Sequence, residues 1–596
     1  MTTPEDPRSN ESTPPRRREP TLSPPPYVLN KHGSRVLDPD SALRLPSQSA
    51  IRPTVYVGAS LLVRLTDLTD DLESLVQQAA GLAQLRLIVK RPVDPAPDDR
   101  SPQASAAAQE PNEPDAIEHS IALAEKYEFD RELLAAAREH EVLDVTVGLL
   151  MVRLSFEAAD PDIPSPPPDA WTVLQNYRYL TRTGQPHHDL AAKVSLDHLL
   201  SSSSDPGFVG TGYFGGSGYF GGSGYFGGSG YFGGSGYFGG SGVGSPSSEY
   251  GMPGRGGRSP VAWVGAPPDR TEDREWGDHR RPVVAVFDTG AGEHDWLPDD
   301  IVDRKPAFKG LPIGMTDADG PSPEVKPAQD DPLEGILDPF AGHGTFICGL
   351  IRQACPDANI LMIRAMHGDG AVPEYDILGW LARLVTRQTY AARNDIADLA
   401  VDVVSLSMGY YHELPSDEAY DQRLLVPLQA LAELGVVVVA AAGNDATSRH
   451  MYPAGFAPHA GSKLPVAHNR VPLISVGALN PNKVTRAMFT NAGPWVIAYE
   501  QGAAVVSTTP DSMNGSAQPG AAVAVLGAGR RATIDPDDYR GGFGIWSGTS
   551  FAAPVLAGRI AAGLLDGGAC EAVDDGSMLD RAWDVVHSLI PSLKRP

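Results

Sequence analysis

Cysteine is scarce in this chain: three occur in 596 residues, Cys348, Cys355 and Cys570. So sparse and odd a set argues against a disulfide framework and points to a reducing, cytoplasmic compartment. Runs of about 18 apolar residues, the length a membrane helix needs, are missing as well. The opening stretch MTTPEDPRSNESTPPRRREPTLSPPP holds no apolar segment of the kind a secretory leader carries. Positive charge is in short supply, with 48 Lys and Arg against 74 Asp and Glu and a net charge of −26. That balance disfavours nucleic acid and membrane as partners and suits a soluble protein. Punctuation, by contrast, is plentiful: 63 Gly and 54 Pro assign much of the length to linkers.

Residues 1–50 are polar and proline-rich and are expected to be disordered, because they bury too little apolar surface to offset chain entropy. Residues 51–156 read as a small α+β domain. Thr54 to Leu65 and Leu85 to Lys90 have strand character, and Asp70 to Leu82 places Leu72, Leu75, Val76 and Ala79 at helical spacing. A loop near 91–115 follows, then a helical stretch at 116–138 and a strand from Val142 to Phe156. Residues 157–280 read as a linker. It contains an amphipathic helix from Ala170 to Thr181, a short docking segment VSLDHLL at 194–200, and GYFGGS repeats with tyrosines at 213, 219, 225, 231 and 237. A six-residue period of Gly, Ser and paired aromatics offers no continuous apolar face, so the repeats read as a flexible tether. The alternative is that the Tyr-Phe pairs are adhesive.

Across 281–596 the pattern changes. Short β-branched runs at 283–290, 359–366, 401–409, 435–444 and 472–479 are separated in places by helical stretches, Tyr375 to Ala392 and Asp421 to Leu434 among them. Strand alternating with helix predicts an α/β fold, a parallel β-sheet with helices on both faces. In such sheets ligands bind beyond the carboxyl ends of the strands.

Three residues stand out at such positions, Asp288, His343 and Asn444, and Ser550 joins them from a helix start. Asp288 ends the run VVAVF, His343 sits between glycines in AGHGTFICGLI, Asn444 ends GVVVVAAAG, and Ser550 opens a helix in GIWSGTSFAAP. Singly each has a plain structural use: a turn cap, a core histidine, a left-handed turn, an N-cap. Jointly they supply the orienting carboxylate, base, oxyanion donor and nucleophile that acyl transfer requires.

These blocks, FDTG, GHGT, AAGN and GTSFAAP in that order, resemble the subtilisin-like serine proteases, the subtilases. The resemblance covers about 281–566 and implies a serine endopeptidase acting on polypeptides, with Asp288, His343 and Ser550 as triad and Asn444 in the oxyanion hole. It implies further that the SLSMG segment, Ser405, Leu406, Ser407, Met408 and Gly409, is the substrate-binding strand, and that Asp445 near the S1 pocket favours a basic P1 side chain. The chemistry requires no cofactor. Subtilases often bind structural calcium, but the Asp317-Ala-Asp319-Gly stretch in the long 303–338 interval lacks the spacing of a complete site, so no metal is assigned. Cys348 reads as a buried structural thiol. The family's propeptides make 51–156 an intramolecular partner for the cleft, with a permanent recognition domain as the other reading. Two further alternatives are a catalytically silent peptide-binding scaffold and a protease active only in self-processing.

Overall fold

Every second residue of the strands near the middle of the chain faces a different hydrophobic core, and this decides the architecture. In the computed structural model, Ala285, Phe287, Val404 and Val438 join one apolar cluster. Their neighbours Val284, Val286, Val403 and Val437 join another. Because successive side chains of a strand point to opposite faces, a sheet with two cores must be covered on both sides. The sheet is parallel and seven-stranded, in the order 498–501, 474–479, 437–441, 403–406, 283–288, 359–364, 302–303. Helices His343–Ala354 and Thr549–Asp566 supply Phe346, Leu350, Leu556 and Ile560 to one core. Helices Glu374–Asn394 and Leu425–Glu433 supply Ile377, Leu381 and Leu428 to the other. This is the α/β class expected from the alternating pattern. The described residues are 22–46, 48–90, 113–162, 166–202, 250–262, 265–276, 279–414, 423–460, 462, 464–566 and 573–596. The GYFGGS tyrosines, most of the 91–115 loop and Cys570 lie outside them.

The N-terminal part differs from the sequence reading in three places. Residues Pro26–Lys31 form a helical turn and Ser34–Val36 a strand paired with Val55–Val57, so a segment expected to be disordered is ordered on the sheet. Val142 to Phe156 is not one strand. Residues Leu143–Thr146 make a helical turn that Thr146 closes by donating to the Val142 carbonyl at 2.8 Å, and the strand is Met151–Ala158.

The third difference concerns the interval 157–280. Helix Ala170–Leu180 packs on helix Asp70–Leu82, and Val194–Ser202 is an inner strand. The antiparallel order is 371–373, 194–202, 55–64, 151–158, 85–87. The long strand Val55–Arg64 has two edges to satisfy; Met151–Ala158 takes one and Val194–Ser202 the other. Farther on, Ser259–Pro260 pair with Gly544–Ile545. The linker reading thus fails at both ends of the interval.

This N-terminal sheet rests on helix Glu374–Asn394. Leu61, Trp171 and Leu196 belong to the same apolar cluster as Ile377 and Leu381. Polar ties reinforce the contact: the Arg383 guanidinium donates to Asp130 at 2.6 Å, and the backbone N–H of Tyr375 donates to Asp197 Oδ1 at 3.1 Å, satisfying one of the free donors of the first helical turn.

Candidate active site

Asp288 is the last residue of strand Val283–Asp288, opposite Arg364 in the parallel register, and is fully buried. Its carboxylate is held by its own turn, with Thr289 N–H donating to Oδ1 at 2.8 Å. His343 opens helix His343–Ala354. The two glycines around it are dictated by space. Gly342 has φ +82°, and a Cβ there would stand 2.6 Å from Met513 Sδ; a Cβ on Gly344 would stand 2.0 Å from the Gly290 carbonyl. That close approach brings His343 Nδ1 to 2.7 Å from Asp288 Oδ1, with neither side chain exposed. A ring nitrogen facing a carboxylate carries the proton, so Nε2 is left as the acceptor. Among the described residues Nε2 has no hydrogen-bond partner. The imidazole is walled by Trp546, edge-on at 5.5 Å between centroids, and Phe551 at 5.2 Å.

Ser550 is the second residue of helix Thr549–Asp566 and is fully buried. Its Oγ donates to the Ser407 carbonyl at 3.2 Å, and Ser407 Oγ donates to the Ser550 carbonyl at 2.9 Å. Asn444 follows strand Val437–Ala441, beyond Gly443 at φ +99°. Its Oδ1 accepts from Thr549 N–H and Thr549 Oγ1, both at 2.9 Å. An oxygen fixed on those donors turns the amide nitrogen the other way.

The SLSMG segment divides. Ser405 and Leu406 are core residues, in register with Val286 and Phe287 on one side and Val439 and Ala440 on the other. Parallel pairing on both sides holds these two in the sheet, whereas the next strand, Met408–Gly409, leaves it for another partner. Met408 and Gly409 pair antiparallel with Ser202 and Ser201. On its other edge the same strand pairs through Ser201, Leu200 and Leu199 with Ala371, Val372 and Pro373, and Ser202 N–H donates to the Gly370 carbonyl at 2.8 Å. Residues 199–202 therefore fill a slot between two edges of the α/β domain.

Asp445 lines a cavity of about 90 Å³ shared with Asn444, Tyr411, Met451 and Ser202. Its Oδ2 accepts from the Tyr411 hydroxyl, and Asn491 ties both by donating to the Tyr411 oxygen at 2.8 Å and accepting from Asp445 N–H at 3.0 Å. Asp319 accepts from Thr316 N–H and Oγ1 in a capping box and Asp317 pairs with Lys305 at 3.1 Å. Among the described residues no group of three His, Cys, Asp or Glu side chains is disposed to hold a metal ion, and no helix is long and apolar enough to cross a membrane. Cys348 is buried in helix His343–Ala354, and burial pushes its thiol well up.

Two features of the site escaped the sequence reading. One is Ala371–Pro373, the second wall of the slot, a three-residue strand too short to show a period. The other is Glu324, a fully buried carboxylate between Thr289 and Thr345. Burial, with Asp288 nearby, pushes it up to about 7 against the hydroxyls that hold its charged form.

A family model described as Subtilase family matches residues 279–566, just under half the chain. Subtilisin DY of Bacillus licheniformis is 27% identical over 188 residues, 29% of this chain and 58% of that protein. Mycosin-4 of Mycobacterium tuberculosis (strain ATCC 25618 / H37Rv) is 28% identical over 295 residues, 47% of this chain and 54% of its own length. The chain thus spans little more than half the length of these relatives. Among solved structures, a cold adapted subtilisin-like serine proteinase aligns with 50% of this chain and 79% of its own, at 19% identity and a TM-score of 0.29.

Proposed function

Residues 279–566 belong to the subtilase family, and from that premise we propose that the chain is a serine endopeptidase whose cleft is occupied by its own N-terminal domain. The observation that carries the catalytic reading is the buried Asp288–His343 hydrogen bond, which leaves Nε2 as an acceptor on the side of the ring away from the carboxylate. Ser550 Oγ attacks the scissile carbonyl once it turns from the Ser407 carbonyl to Nε2. His343 takes the proton and returns it to the leaving amine, while Asp288 holds the tautomer and stabilises the imidazolium. The Asn444 amide and the Ser550 backbone N–H stabilise the oxyanion. Substrate adds as an extended strand between Met408–Gly409 and Ala371–Pro373. No cofactor enters these steps, and calcium is left unassigned.

One observation favours a narrower reading, in which proteolysis serves self-processing: residues 199–202 already hold the strand position that a substrate would take. The two are separated by intact mass and fluorophosphonate labelling of wild type and Ser550→Ala over time. Labelling and clipping of the wild type alone, with a new N-terminus soon after Ser202, supports self-processing. Labelling without clipping supports a permanent N-terminal domain. A wild type, and a chain truncated after 202, that both resist labelling would overturn the enzyme reading in favour of a silent scaffold.

A further inference from the structure

A second carboxylate lies behind the triad, and nothing in the mechanism above employs it. Glu324 comes from the long interval between Asp288 and His343, and this interval is anchored beside the triad by Arg364, which donates to the carbonyls of Gly320 and Pro321 at 2.8 Å each. Arg364 in turn is the register partner of Asp288. Glu324 Oε1 accepts from Thr289 Oγ1 at 2.5 Å, and Oε2 accepts from Thr345 Oγ1. The two threonines follow Asp288 by one residue and His343 by two. Each is bonded onward: Gly344 N–H donates to Thr289 Oγ1 at 2.9 Å, and Gly292 N–H donates to Thr345 Oγ1 at 2.8 Å. One carboxylate therefore spans the turn that carries Asp288 and the helix start that carries His343.

Resting on the endopeptidase reading, we propose that Glu324 is a positioning residue whose protonation state sets the hydrogen bonding of Asp288 through Thr289. Thr289 has one hydroxyl proton and two possible acceptors, Glu324 Oε1 at 2.5 Å and Asp288 Oδ1 at 3.1 Å. With Glu324 ionised, the proton points to Glu324. With Glu324 protonated, its own O–H donates to Thr289 Oγ1, and the threonine proton turns to Asp288; the oxygen's two lone pairs then take Glu324 and Gly344. The extra proton exchanges with solvent and no bond to carbon changes. The ionised form also places a second negative charge near His343, which favours the imidazolium of the transition state. The groups facing Glu324 are Asp288, His343, Arg364 and Cys348. Pushed up to about 7 by burial, Glu324 has both forms populated around neutral pH.

The test is the rate of fluorophosphonate labelling of the full chain from pH 5 to 9, for wild type, Glu324→Gln and Glu324→Asp, with a thermal melt at each pH. Wild type is expected to gain reactivity over two ionisations, one near 7, and Glu324→Gln over a single one, with a rate above pH 8 lower by roughly tenfold, the worth of one pK unit. Glu324→Asp, which keeps the charge, should recover the second ionisation. Because the folded-state pKa is raised, ionisation of Glu324 erodes stability as pH rises through 7. The melting temperature of wild type should therefore fall from pH 5 to 9 more than that of Glu324→Gln. Equal rates and identical pH profiles for wild type and Glu324→Gln would overturn this proposal alone. A wild type unreactive at every pH, with the truncated chain unreactive too, would overturn the endopeptidase reading and this proposal with it.

Discussion

His343 and His198 are both buried beside carboxylates, and they differ in a single ring nitrogen. His343 gives Nδ1 to Asp288 and, among the described residues, has no hydrogen-bond partner on Nε2. His198, on the strand that fills the slot, gives Nδ1 to Glu374 at 2.7 Å and Nε2 to Glu413 at 2.9 Å, with its ring stacked on Tyr410 at 4.2 Å. Burial works against the charged form of His198, but the two carboxylates outweigh it and hold the ring up to about 10. Glu413 is buried too, yet His412, His198 and Arg178 keep it well below the usual carboxylate range. A histidine saturated by two partners is a rivet; one with an open nitrogen can accept a proton and give it back. The chemistry lies in what is left unbonded.

The widest difference between the two should come from the catalytic side. Asp288→Asn, which keeps the shape but favours the wrong tautomer, is expected to lower kcat by about 10⁴-fold, read from fluorogenic peptide hydrolysis, with little change in the melt. Next, His198→Ala removes the cation that Glu374 and Glu413 share, leaving Glu413 to Arg178 and His412, and should cost about 3–5 kcal/mol, read from urea unfolding and from earlier proteolysis of the N-terminal domain. Asn444→Ala should reduce kcat by about 10²–10³-fold with KM little altered, the size of effect expected for one oxyanion donor.

The pH dependence sharpens the contrast. Since the folded-state pKa of His198 is raised, its contribution is complete below about 6.5 and is lost as pH rises through about 10. Glu413, being depressed, contributes above its ordinary range and loses that contribution in acid. Between about pH 6.5 and 10 the melting temperature should therefore fall more in wild type than in His198→Leu. The smallest effect belongs to the surface. Lys31 pairs with Asp369 at 3.0 Å and Asp330 at 3.2 Å while a third of its side chain remains exposed, so Lys31→Ala should cost at most about 1 kcal/mol, measurable as a slight loss of protection around 26–36 in hydrogen exchange.

What could be read in advance follows the same division. Asp288 and Asn444 were legible because each stands at the end of an apolar β-branched run, and His343 and Ser550 because small residues crowd a helix start. The parallel sheet was legible from those same runs. Val194–Ser202 was not: Asp197 and His198 interrupt its apolar pattern, and the groups that neutralise them, Arg153, Glu374 and Glu413, lie tens to hundreds of residues away. Glu324 looked like one more acid in a polar loop, since only the folded chain brings Thr289 and Thr345 to either side of it. The hydrogen bond to Asp445 was not legible because its donor, Tyr411, lies 34 residues earlier in the chain.

The slot between Gly370–Pro373 and Met408–Gly409 also acts as a gauge. Neighbouring strands stand about 4.8 Å apart, so two edges that share one intervening strand are roughly 9.6 Å from each other. An α-helix with its side chains is about 10–12 Å across and has no free backbone donors along its flank. Whatever replaces residues 199–202 there must arrive as a single extended thread, so on the proposed endopeptidase reading local unfolding of a target would be the admission requirement.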